Sequence, residues 1–366
     1  MIYVHVPFCR SFCTYCDFYS ELCRSASQQV QNAYMDSLLA EVAARATESC
    51  PSQTLYIGGG TPSVLPGAML QRIVEALGDA EYEEFTVEVN PDDIVEKGEE
   101  YVRELLGMGV NRISMGVQSF DDGILRWMGR RHDAAGARKA FSILRAAGVK
   151  NISIDLIFGL PQLTDDGWLL TLDAAVALGP EHISAYQLSV EDGSALGEMA
   201  REGKFTPASE ELCARQYEAL CQRLAEAGYR HYEISNWALP GREAVHNSAY
   251  WRRVPYVGLG PGAHSLSFRD GRQVRSWNSE TLSDWTSESE ILSEEEAAEE
   301  EVLLALRTAR GIGAGRLRAL TALLQGSDAA VDRMLSSGAL VALPDGNLRI
   351  PEGKLFVSDD IIAGLV

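Results

Sequence analysis

Short apolar runs alternate with amphipathic stretches from residue 2 to about residue 230. The runs fall at residues 2–6, 55–57, 85–89, 112–117, 152–158 and 182–188. The amphipathic stretches fall at residues 28–46, 68–77, 99–106, 134–147, 165–178 and 210–227. Gly78, Gly148, Gly179 and Gly228 stand just beyond predicted helices, where a left-handed cap is expected. Regular strand–helix alternation predicts a parallel sheet with helices outside it. Six such units make an α/β fold, an incomplete (β/α)6 barrel, whose chemistry belongs at the carboxyl ends of the strands.

The pattern changes after the sixth unit. Residues 1–265 read as the barrel, with an extension over about 230–265. Residues 266–290 are polar and rich in Ser, Thr, Asp and Glu, and read as a connecting segment. Residues 291–366 read as a separate C-terminal unit. Ser293 and Glu296 form a capping box that opens a helix through Arg310, with Val302, Leu303, Leu306 and Ala309 on its apolar face. Helices at 315–324 and 329–336 follow, then a hairpin around Pro344-Asp345-Gly346-Asn347. This order predicts a small winged-helix-like α+β domain. DNA binding is a poor role for it, because its first helix carries six glutamates and a nucleic-acid backbone needs cations. Packing against the barrel so as to cover the site is the expected role.

Composition narrows the class. With 46% hydrophobic and 23% charged residues, the 366-residue chain is an ordinary globular protein. Its 52 acidic and 32 basic residues give a net charge of −20, which argues against a nucleic-acid surface and against docking on an anionic membrane. No apolar run reaches a membrane-spanning length, and the N-terminal residues do not read as a secretion signal. Seven cysteines, three of them clustered, fit a reducing compartment, so a cytoplasmic protein is expected.

That cluster is the first candidate for chemistry. Cys9, Cys13 and Cys16 follow the first strand in a C-x3-C-x2-C spacing. Three thiolates on one loop can hold an iron–sulfur cluster with one iron open, a zinc ion with a fourth ligand from elsewhere, or nothing at all. The second strand runs into Gly58-Gly59-Gly60-Thr61-Pro62, which is either a tight turn or a close approach of backbone to ligand. Glu88 and Asn90 share a face at the end of the third strand. Asp155 interrupts an apolar strand, so it either meets a partner or faces solvent. Cys23, Cys50, Cys213 and Cys221 read as core thiols.

Six segments recur in order at successive strand ends: HVPFC-x3-C-x2-C, GGGTP, EVNP, RISMGVQSF, GRRH and DLIFGLP. With them the chain resembles the oxygen-independent coproporphyrinogen oxidase family of radical S-adenosylmethionine (SAM) proteins. The resemblance implies a [4Fe–4S] cluster on Cys9, Cys13 and Cys16. It implies SAM contacts at Tyr3, Gly59, Gly60, Thr61, Glu88, Gln118, Arg130 and Asp155. Two departures separate the chain from the oxidases: Phe18 stands where they carry a further cysteine, and Cys9 lies close to the first residue. Both features resemble the HemW-type haem-chaperone branch. Within that branch His246 and Tyr250, an H-N-x-x-Y motif, imply a haem site, with His264 as an alternative ligand. The implied function is to bind haem and pass it to haem-accepting proteins, taking it from a haem donor, with a homodimer among the admissible states and membrane contact at most peripheral. The alternative is radical decarboxylation of coproporphyrinogen III.

Overall fold

Six parallel strands stand in chain order: β1 (Ile2–Val6), β2 (Thr54–Gly59), β3 (Glu84–Val89), β4 (Arg112–Gln118), β5 (Ile152–Phe158) and β6 (His182–Gln187). The computed structural model describes residues 1–23, 28–45, 53–78 and 80–366; Cys50 and the expected helix end at Ala46 lie outside them. Helices α1 (Gln28–Ala44), α2 (Gly67–Leu77), α3 (Pro91–Gly107), α4 (Ala134–Ala147) and α5 (Asp165–Leu178) provide the crossovers, and α6 (Glu210–Glu226) follows β6. Helices cover one face of the strands and the barrel interior the other, so the strands are buried on both sides and read as continuous apolar runs. In β5 every residue is buried except Asp155. The sheet does not close. It continues beyond β1 with the parallel strand Val257–Leu259, and beyond β6 with the antiparallel strands Asn236–Ala238 and Arg230–Glu233. The fold is therefore the expected partial barrel.

Three elements differ from their expected form. Helix α3 begins at Pro91, not near residue 99, and breaks at Gly98 (φ 70°, ψ −167°). Proline is preorganised for a first helical turn, and the Gly98 break masks the continuity in sequence. Second, residues 266–290 are not an irregular connection. Strands His264–Arg269, Arg272–Asn278 and Ser287–Ile291 form an antiparallel sheet. Asp270 and Gly271, both at positive φ (53° and 78°), make its first hairpin turn, the Asp-Gly pairing such turns favour. Third, the capping-box helix α7 (Glu294–Leu306) stops short of Arg310. The chain after it pairs with the barrel edge instead: Ile234 N donates to Arg307 O (2.9 Å) and Ala309 N to Tyr232 O (3.0 Å). An open strand edge is thereby covered.

Helices α8 (Ala314–Gln325) and α9 (Ala329–Ser336) and a three-stranded sheet of Ile312–Gly313, Val341–Ala342 and Asn347–Arg349 complete the winged-helix-like order. This unit packs on the sheet edge and on α6, where Phe356 meets Tyr217 at 5.3 Å between ring centroids. It does not cover the cysteine loop, because no residue beyond Asn247 lines the cavity there. Among the described residues no helix is long and apolar enough to cross a membrane.

Candidate active site at the strand ends

The cysteine loop is closed at its base and tied down at its tip. Phe8–Cys9 pairs in parallel with Glu21–Leu22, and Cys23 N donates to Cys9 O at 2.8 Å. At the tip, Thr14 N donates to Met128 O (3.1 Å), and Leu196 N donates to Thr14 O (2.8 Å). Burial raises the Cys9 thiol, and pushes Cys16 up to about 11. Arg130 sits against the loop, its Nη1 donating to Cys13 Sγ (3.4 Å) and its Nη2 to Gly116 O (2.6 Å). The GGGTP turn lies directly alongside: a side chain at Gly60 would meet Phe8 O at 2.9 Å.

One cavity of about 610 Å³ gathers these groups. It is lined by all three cysteines and by Gly59, Gly60, Thr61, Glu88, Gln118, Arg130 and Asp155. Two half-buried carboxyls face it. Burial pushes Glu88 up to about 7, although Tyr56 OH (2.6 Å) and Gly59 N (3.2 Å) donate to it. Asp155 is also raised by burial, against the lowering effect of Ser184, Arg112 and Ser114. Gln118 enters at φ 68° beside a register shift in β4, a backbone state that costs a non-glycine residue roughly 1–3 kcal/mol and concentrates at functional sites. Such a cavity suits a ligand bearing cationic and hydroxyl groups.

Tyr3 is the exception among the expected residues. It does not line the cavity; its hydroxyl lies 3.0 Å from His5 Nδ1, and its ring rests on Tyr56. Tyr56, Arg112, Ser184 and Tyr186 line the cavity as well, and no motif in the sequence marks them. Strand pairing was the signal that could have found them, since Tyr56 sits one strand over from Glu88 and Ser184 is in register with Asp155.

The H-N-x-x-Y motif lies on the short helix Val245–Trp251, at the amino-terminal end of the strands. Glu84 accepts the amides of Val245 (2.7 Å) and His246 (3.1 Å). His246 is 1% exposed. Its Nδ1 lies 2.8 Å from Thr54 Oγ1 and its Nε2 3.0 Å from Tyr250 OH. Burial lowers its pKa to about 3, so it stays neutral. Both nitrogens are engaged, so in this structure the histidine and tyrosine bind each other and neither is open to haem iron. His264 is exposed and stacks on Trp277. His246→Ala is expected to cost about 3 kcal/mol, by losing two buried hydrogen bonds and leaving a void. Denaturant midpoints measure this, and a loss below about 1 kcal/mol would contradict the buried arrangement.

The loop brings three cysteine sulfurs to one cavity, whereas a structural zinc site takes four protein ligands. Three soft thiolates suit an iron–sulfur cluster that keeps one iron open. The Radical SAM superfamily model matches residues 3–175. The heme chaperone HemW of Lactococcus lactis is 36% identical over 318 residues, 85% of this chain and 82% of that protein. HemW of Bacillus subtilis is 33% identical over 328 residues, 86% and 85% of the two chains. The structure of coproporphyrinogen III oxidase (HemN) from Escherichia coli superposes with a TM-score of 0.79 over 100% of this chain and 89% of that one, at 20% identity, a likeness of fold alone. Identity sustained along most of both chains, on a radical SAM barrel with its three-cysteine loop, makes this protein a member of the HemW haem-chaperone family.

Proposed function

We propose that this chain holds a [4Fe–4S] cluster on Cys9, Cys13 and Cys16, binds SAM beside it, and carries haem to acceptor proteins in the cytoplasm. The observation that carries the reading is the gathering of three free cysteines and seven expected SAM contacts around one cavity. The cluster, when bound, supplies an open iron and an electron. The chain supplies the rest. Glu88 and Asp155 take the ligand's cationic and hydroxyl groups, Arg130 orders the loop through Cys13, and Gly59 and Gly60 let backbone amides approach. Tyr3 acts indirectly, by fixing His5 under the loop.

Two observations favour a carrier over an oxidase. A cavity of about 610 Å³ is the size for one drug-sized ligand, and SAM and a tetrapyrrole together need more. Phe18, where the oxidases carry a cysteine, is 67% exposed beside Phe12 at 55%, an apolar surface at the mouth that suits contact with a partner or a flat ligand. Haem ligation by His246 requires its ring to give up the bond to Thr54 or to Tyr250. Handover is the test. Protein loaded with one equivalent of haem and mixed with excess apo-globin is expected to transfer the Soret band to the globin spectrum. Failure to retain haem through desalting before mixing would overturn the carrier reading.

A further inference from the structure

A second cluster of ligating side chains lies far from the cysteine loop. Cys221 on α6, His231 on the strand Arg230–Glu233 and Glu352 at the start of the 3-10 turn Glu352–Val357 each direct one ligand atom to a common point, all within 4.8 Å of one another. None of the three lines the strand-end cavity. We propose that this cluster is a zinc site that fastens the C-terminal unit to the edge of the barrel.

The histidine carries most of the argument. Its side chain is 1% exposed, and its Nδ1 meets only Glu352 Oε1, at 3.3 Å. Nε2 faces Ile234 O (3.3 Å) and the Tyr217 hydroxyl (3.4 Å), and that hydroxyl already donates to Ile234 O at 2.8 Å. Nε2 therefore turns a ring N–H toward Ile234 O, and Nδ1 faces the cluster. The ring is stacked on Trp237 at 4.2 Å and 9°, which locks its orientation. A ring N–H bound to a backbone carbonyl, with the other nitrogen aimed at a ligand cluster, is the outer-shell arrangement of metal-ligating histidines.

Spacing agrees with the chemistry. Nδ1 lies 3.3 Å from Glu352 Oε1. Two ligands at roughly 2.0–2.1 Å on a tetrahedral ion are separated by about that distance. A metal ion fits between that nitrogen and the carboxylate, and the adjacent sulfur selects a borderline-soft ion over magnesium or calcium. Zinc would take Cys221 as thiolate, releasing its proton to solvent, and keep water as the fourth ligand on the open side of Glu352, whose side chain is 52% exposed. No electron changes hands. The three ligands come from α6, the barrel-edge strand and the C-terminal unit, so the ion would join three segments that also meet in the apolar core and at the Phe356–Tyr217 contact.

The experiment uses cluster-loaded protein, so that Cys9, Cys13 and Cys16 are occupied. Zinc is titrated against a chromophoric chelator, and Co²⁺ is added separately to read thiolate coordination from its absorption. One zinc per chain is expected for the parent. Affinity should fall at least 10-fold in Glu352→Gln, which keeps its shape on an exposed site, and at least 100-fold in Cys221→Ala, with the cobalt–thiolate absorption lost in the latter. Circular dichroism confirms that each variant is folded. A parent that takes up no more zinc than Cys221→Ala overturns the proposal, because the 3.3 Å contact is then a shared proton between His231 and Glu352. Equal zinc affinity in the parent and Glu352→Gln overturns it as well.

Discussion

Replacing Cys9, Cys13 or Cys16 by alanine, one at a time, leaves a folded protein that cannot hold its cluster. Each of these side chains is half-buried, and Cys9 and Cys13 are hydrogen-bonded at the sulfur, to Thr61 and Arg130. The loop itself is held by backbone hydrogen bonds at Cys9, Thr14 and Cys23, which alanine keeps. The stability cost should stay near 1 kcal/mol, as for substitutions outside a packed core. Ligation is different, because in the proposed site three thiolates are the whole protein share of a cluster that leaves one iron open. Iron after anaerobic reconstitution should fall from about four atoms per chain to near zero. Alanine at Cys23 or Cys213 should retain full iron, since neither lines the cavity. A Cys13→Ala protein with undiminished iron and sulfide would remove the cluster from this loop.

SAM binding should strengthen as pH rises through about 7, and Glu88→Gln should abolish that dependence. Burial holds the Glu88 carboxyl up to about 7, so it is largely neutral at pH 6 and ionised at pH 8. SAM carries a sulfonium and an ammonium group, and only the ionised form attracts them. The sign for stability is the reverse. A carboxyl whose folded pKa lies above its ordinary value stabilises the fold at low pH, and that contribution is lost as pH rises through about 7. SAM should therefore raise the melting temperature more at pH 8 than at pH 6. Glu88→Gln should bind SAM about 10- to 100-fold more weakly at pH 8, or about 1.4–2.8 kcal/mol, with a flat profile. Calorimetric titration across that range measures it. A parent affinity independent of pH would show that Glu88 does not meet the ligand's charge.

The residues most legible in sequence are those whose position follows from strand period and crossover topology. Thr61, Glu88, Gln118 and Asp155 all stand at or near carboxyl ends of parallel strands, where the fold directs side chains into one cavity. Tyr3 has the right strand and the wrong depth, since its hydroxyl is taken by His5. Arg112 was hidden because it opens β4, yet its long side chain reaches the cavity from below. The sheet over residues 264–291 was hidden by its polarity: every residue of Ser287–Ile291 is exposed, so no buried face marks the alternation. His246 and Tyr250 show how a motif can mislead about access. Four residues apart on a helix they are neighbours, and in this fold they satisfy one another.

One comparison bears most directly on the central claim that this protein handles haem and does not make a porphyrin. Anaerobically reconstituted protein is divided in two. One half receives haem and is followed for a Soret shift. The other receives coproporphyrinogen III, SAM and a reductant, and is assayed for protoporphyrinogen. A stable Soret shift without decarboxylation is the expected result. Protoporphyrinogen formed over repeated turnovers would contradict it, and would mean that neither Phe18 nor a cavity of about 610 Å³ bars the oxidase reaction.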